Sequence, residues 1–120
     1  MKQEDKDLLL RDLCCRLPYG VIVEDRNGTY TLTTGNTEFT ALFGDSGWHN
    51  IKPYLRPMSS MTEEEDKEWQ LYKGSIAESC DELLEKRIAE LHDWFCKKHL
   101  DYRGLIPKGL ALEAPEGMYN

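Results

Sequence analysis

Apolar residues recur with a helical period of about 3.6 near the start and through the second half of the chain, and with a period of about two between them. Leu9, Leu10, Leu13 and Leu17 keep helical spacing while Asp5, Lys6, Asp7, Arg11 and Asp12 fill the gaps, so Asp5 to Leu17 reads as a helix that Pro18 stops. Gly20-Val-Ile-Val-Glu24 is a short β-branched run, and the Asn27-Gly28 pair after it is favoured in tight hairpin turns. Thr29 to Thr34 then alternates, with Tyr30 and Leu32 on one face and Thr29, Thr31 and Thr33 on the other. A second reversal at Gly35-Asn36 leads into Thr37 to Phe43, where Phe39, Ala41 and Phe43 lie opposite Glu38, Thr40 and Leu42. The pattern predicts an antiparallel three-strand meander closed by the loop Gly44 to Gly47. Trp48, Ile51, Tyr54 and Leu55 add a fourth extended segment or lie over the sheet edge.

Asn50 to Glu65 separates this β half from a helical half. Pro53 and Pro57 fix their own φ and bias Lys52 and Arg56 toward extended backbone, which predicts a stiff, polyproline-like strap across the surface. Thr62 followed by Glu65 fits a capping box that opens a helix over Glu63 to Lys73, ended near Gly74, with Trp69, Leu71 and Tyr72 as its packing residues. The clearest helix spans Cys80 to His99. Its stripe of Leu84, Ile88, Leu91 and Phe95, widened by Leu83 and Trp94, should pack on the sheet. Leu105, Ile106, Leu110 and Leu112 make the closing segment too apolar to float, so a docked extended tail is expected, frayed only near Gly117 to Asn120. The expected fold is therefore α+β, one globular domain over residues 1–120: an N-terminal helix, a small antiparallel sheet of three or four strands, two C-terminal helices on one face and the docked tail.

Composition narrows the function classes. Residues 62–93 hold eleven acids against four bases, which alone equals the whole chain's net charge of -7. Such a balance argues against nucleic acid, whose binding depends on neutralising phosphates. Lys97, Lys98, Arg103 and Lys108 form a small basic cluster after a helix end, where cations are favoured anyway. No apolar run approaches a membrane span, and Met1 to Asp7 is too polar for a signal peptide's core, so a cytoplasmic location is expected. Cys14, Cys15, Cys80 and Cys96 have neither C-x-x-C spacing nor that of a secreted scaffold, and are expected as free thiols.

Candidate chemistry is sparse. His92, Cys96 and His99 share one side of the long helix at i, i+4 and i+7, the spacing by which a helix presents ligands to zinc, but no fourth ligand is evident. The same residues could pair a thiol with an imidazole, as could Cys80 with His49. Glu63, Glu64, Glu65 and Asp66 read as solvated charges at a helix start. Ser59 and Ser60 lack a Gly-x-Ser-x-Gly elbow, and neither a P-loop nor Gly-x-Gly-x-x-Gly is present, so no cofactor is expected. The strap offers the better interaction surface: Lys52, Tyr54 and Arg56 alternate with apolar residues beside Trp48, and Tyr, Trp and Arg are enriched in binding hot spots.

Asp12-Leu-Cys-Cys-Arg-Leu-Pro-Tyr-Gly-Val21, Ile51-Lys-Pro-Tyr-Leu-Arg-Pro-Met-Ser-Ser-Met-Thr-Glu-Glu-Glu65 and the closing stretch Leu100 to Asn120 resemble segments of a family of small uncharacterised proteins. That family occurs in Bacteroides-group gut bacteria, in prophage or other mobile-element regions. The resemblance covers under half of the chain, excludes Glu24 to Gly47, and implies no activity and no ligand residues. The leading expectation is a non-enzymatic binding or accessory module with another protein as partner. The alternative is a small enzyme or metal-binding protein centred on His92, Cys96 and His99.

Overall fold

The computed structural model describes residues 2–25, 28–33 and 51–119. The expected strand at Thr37 to Phe43, the loop Gly44 to Gly47, and Trp48 and His49 lie outside the described residues. Helix α1 (Gln3–Arg16) forms on the leucine spacing and passes into a 3-10 turn at Leu17–Tyr19 that carries Pro18. Gly20 follows at φ 75°, a left-handed conformation that a side chain would resist, and it turns the chain directly into β1 (Val21–Asp25). Strand β2 (Gly28–Leu32) returns antiparallel with Ile22 opposite Thr31 and Val23 opposite Tyr30, so the expected hairpin forms, with Gly28 paired opposite Asp25 as the first residue of β2. Val21, Val23 and Leu32 are buried, as alternation requires.

The segment expected to be a surface strap is a strand of the sheet. β3 (Lys52–Leu55) pairs antiparallel with β1, placing Val23 opposite Pro53 and Glu24 opposite Lys52, and it buries Pro53 and Leu55. The tail supplies β4 (Leu112–Glu113), parallel to β3 but opposite Tyr54 and Leu55 alone. Pro53 is tolerated because β4 stops short of it, so on that side its missing N–H breaks no rung. The architecture is α+β with sheet order β2-β1-β3-β4, and the fourth strand makes the sheet mixed rather than wholly antiparallel.

Helix α2 (Glu63–Glu78) begins at the capping box: Thr62 Oγ1 accepts the Glu65 N–H at 3.2 Å and the Glu65 carboxylate accepts the Thr62 N–H at 3.0 Å. It does not end at Gly74 but continues for another turn. A mid-helix glycine costs only about 1 kcal/mol, and contacts with α3 (Asp81–Lys97) outweigh it: Tyr72 meets Trp94, Trp69 meets Phe95 edge-on, and Arg87 donates to Ser75 Oγ.

Two apolar clusters result. Leu9, Leu13, Leu17, Val21, Val23, Leu32, Leu55, Leu105 and Leu110 form the first, between α1, the sheet and the tail. Trp94, Phe95 and Leu100, with Trp69, Tyr72 and Leu91, form the second. The α3 stripe thus packs on α2 and not, as expected, on the sheet, because α1 and the tail already fill the first cluster. Leu83 and Ile88 are left exposed, as is Leu71 on α2.

Two devices hold α1 to the rest. Asp12 and Arg16, one turn apart and both fully buried, form an ion pair at 2.7 Å, and Arg16 Nη2 also donates to the Leu100 carbonyl at 2.6 Å. Cys15 and Cys96 are joined by a disulfide linking α1 to α3. This corrects the expectation of four free thiols, which holds for the exposed Cys14 and Cys80. Adjacent helical residues point about 100° apart, so Cys15 can face α3 while Cys14 faces solvent.

Candidate functional site

Four segments meet at a cleft of about 810 Å³: the end of β3, the start of α2, the end of α3 and the tail beyond β4. Arg56 ties three of them. Its guanidinium donates to both carboxylate oxygens of Glu65 at 2.8 and 2.7 Å, to the Lys98 carbonyl at 3.2 Å and to the Ser60 carbonyl at 3.0 Å. The paired Arg56 guanidinium, with the Thr62 N–H, holds Glu65 at a pKa of about 2, while Glu65 in turn raises Arg56. Glu65 is therefore a fixed carboxylate at neutral pH and a poor proton donor.

The end of α3 places His99 in this cleft. The Leu100 N–H bonds the Phe95 carbonyl and the His99 N–H bonds the Cys96 carbonyl, a Schellman closure in which the residue just past the helix is left-handed. Glycine usually fills that position, yet His99 holds it at φ 60°, and it is the non-glycine residue with positive φ among those described. Its ring lies flat on Tyr119, with centroids 3.7 Å apart and planes 9° apart. Burial, reinforced by the charges of Arg16 and Arg56, lowers its pKa to about 4, so the imidazole is neutral at pH 7. Its Nδ1 is buried without a hydrogen-bond partner.

The other wall is the tail, which the sequence suggested would fray near Gly117. Tyr119 is instead pinned: its hydroxyl accepts the Ile22 N–H at 3.0 Å and donates to the Tyr54 carbonyl at 2.6 Å, and burial raises its pKa to about 12.

The residues singled out from sequence are distributed as follows. Lys52 is exposed and Tyr54 half-buried, Arg56 is committed to the internal clamp, and Trp48 lies outside the described residues. His92, Cys96 and His99 do not converge. His92 packs its ring on Tyr102 at 5.1 Å, Cys96 is spent in the disulfide, and His99 faces Tyr119. Among the described residues, no group of three His, Cys, Asp or Glu side chains could hold a metal ion. Neither Tyr119 nor the Asp12–Arg16 pair carries a motif that marks it in the sequence, and both are placed by contacts that only the fold brings together.

The cleft's ionisable groups set an acid response. The unfolded chain protonates His99 near pH 6.5 and the folded chain only near 4, so stability contributed by neutral His99 is complete above pH 6.5 and falls as pH drops toward 4. Glu65 acts lower, its contribution present above pH 4.5 and lost as pH falls toward 2. Urea midpoints measured against pH should therefore decline in two overlapping steps. His99→Gln should flatten the upper step and spare the lower, and an unchanged upper step would show that His99 is not buried neutral.

No family model, curated protein or solved structure matches this chain.

Proposed function

We propose that the chain is a non-enzymatic binding module whose site is the cleft between the Arg56–Glu65 clamp, His99 and the tail. The observation that carries this reading is His99 itself. A left-handed helix-end position is cheapest for glycine, by about 1 kcal/mol, and here it holds an imidazole with an unpartnered Nδ1 against a cleft large enough for a small molecule or a few peptide residues. Strain retained against an available cheaper residue is a mark of use. The neighbouring groups favour binding over chemistry, because Glu65 is locked as an anion by Arg56 and Cys96 carries no free thiol.

His99→Gly separates the two roles. If His99 serves binding, the variant keeps its melting temperature within about 3 °C, since relief of the left-handed strain offsets the lost ring stacking. Ligands from a nuclear magnetic resonance screen of peptides and polar metabolites, which in the wild-type chain shift the amides of Arg56, Lys98, His99 and Tyr119, should then no longer do so. A wild-type screen whose shifts gather on the exposed Leu71, Leu83 and Ile88 instead would move the site to the helical pair and end this reading.

A further inference from the structure

The register of β1 and β3 places Ile22 opposite Tyr54, one rung beyond Val23 and Pro53. No direct rung forms there. At that position a phenol stands between the strands, accepting from the Ile22 N–H and donating to the Tyr54 carbonyl. The Tyr119 ring that delivers this hydroxyl is stacked on His99. The place that the phenol fills is therefore bounded by a backbone donor, a backbone acceptor and the flat His99 ring, which together complement a hydroxyaryl group. A purely apolar ring would leave both part-buried backbone groups unpaired.

The way the tail arrives at this opening describes the rest of the ligand. β4 lies parallel along Tyr54 and Leu55, the Ala114 N–H bonds the Leu55 carbonyl at 2.8 Å, and a turn closed from the Met118 N–H to the Pro115 carbonyl delivers the tyrosine. Between these anchors Pro115, Glu116 and Gly117 are exposed, so the span over the cleft buries little that would be lost on release. Main-chain pairing along a strand edge with one side chain in a pocket is a recurrent mode of peptide recognition.

We propose that the edge of β3 and the Ile22–Tyr54–His99 socket together form a docking site for a tyrosine-bearing peptide strand, occupied in the resting chain by its own Tyr119. This rests on the reading of the cleft as the binding site, with which the socket shares His99 and Tyr119, and it makes the tail that walls the cleft the resting occupant of the adjoining socket. An intramolecular tail competes at an effective concentration on the order of millimolar, so an incoming peptide binds weakly until the tail is released.

The test uses the full chain with Tyr119→Ala and two probes, p-cresol, which is the tyrosine side chain alone, and toluene, which lacks the hydroxyl. The variant should bind p-cresol saturably, at least tenfold more tightly than toluene, and cresol should slow hydrogen exchange at the Ile22 amide again. A synthetic peptide of residues 112–120 should compete with cresol, and its phenylalanine counterpart should bind at least tenfold more weakly. Equal binding of cresol and toluene, or no competition by the peptide, overturns the proposal. If Tyr119→Ala fails to fold, Tyr119→Phe keeps the ring and removes the hydroxyl, and it should speed Ile22 amide exchange at least tenfold; unchanged exchange overturns the proposal as well. A wild-type chain that dimerises by exchanging tails as its concentration rises assigns the groove to a second copy and overturns the peptide reading. The two readings fail separately. Loss of cresol selectivity leaves the cleft's polar walls as the binding site, whereas wild-type ligand shifts away from the cleft remove the reading on which this one rests.

Discussion

Replacing Asp12 by alanine is expected to cost about 3–5 kcal/mol of folding stability, the range for removing one partner of a buried ion pair. Against a total of about 5–15 kcal/mol for a domain, that loss removes from about a fifth to all of the folding stability. The size follows from what Arg16 would have left. Its guanidinium is fully buried, Nε and Nη2 bond the Asp12 carboxylate at 2.7 and 3.0 Å, and Nη1 has no partner already. Without Asp12 the charge would rest on the Leu100 carbonyl and the face of Tyr102, 5.9 Å from its ring centroid, with Arg103 adding repulsion. Asp12→Leu combined with Arg16→Met removes both charges and should recover most of the loss, since apolar replacement of a whole buried pair is often neutral or stabilising. Urea unfolding of the single and double variants gives the comparison. A cost below about 1 kcal/mol for Asp12→Ala would mean that the pair behaves as an exposed one.

That ion pair marks how far the sequence can be read. At 100° per residue, Arg16 falls within about 20° of Leu9 on the helical wheel, so its place in the buried stripe was available to a reader who asked what a charge was doing there. Asp12 is one turn before it, which supplies the answer. Local features were legible for the same reason that they form: the leucine spacing of α1, the β1–β2 hairpin and the Thr62–Glu65 capping box each depend on residues a few positions apart. Partners at long range were not. Pro53 argues against a strand inside a sheet, and only the shortness of β4 reconciles it with one. The α3 stripe was visible but its counterpart was not, because nothing in Leu84 to Phe95 tells that α1 and the tail have already taken the first apolar cluster. Within the cleft, His99 had one readable sign, a helix end with no glycine before Gly104. Tyr119 follows Gly117 in a stretch that reads as fraying, and its hold comes from backbone groups of β1 and β3 that are about a hundred and about sixty-five residues away, the separations being 97 and 65.

Opening the Cys15–Cys96 disulfide is the second large effect. The bridge closes a loop with a sequence separation of 81, for which chain entropy lost from the unfolded state predicts about 4.5 kcal/mol of stabilisation. For a domain of this size, that corresponds to a melting temperature lower by about 15 °C on reduction. Thiol titration in denaturant should find two free groups before reduction, Cys14 and Cys80, and four after it. The Cys15→Ser, Cys96→Ser double variant should melt like the reduced chain and ignore the reductant. The bridge and the Asp12–Arg16 pair both hold α1 to the rest of the fold, so their losses should not add independently. Four free thiols in the untreated protein, or melting insensitive to reductant, would remove the bridge from the account. A disulfide of this kind is kept where glutathione does not reach. In a reducing cytoplasm the same chain would carry α1 on the buried ion pair and the leucine face alone, which makes Asp12→Ala most damaging under the conditions in which the bridge is open.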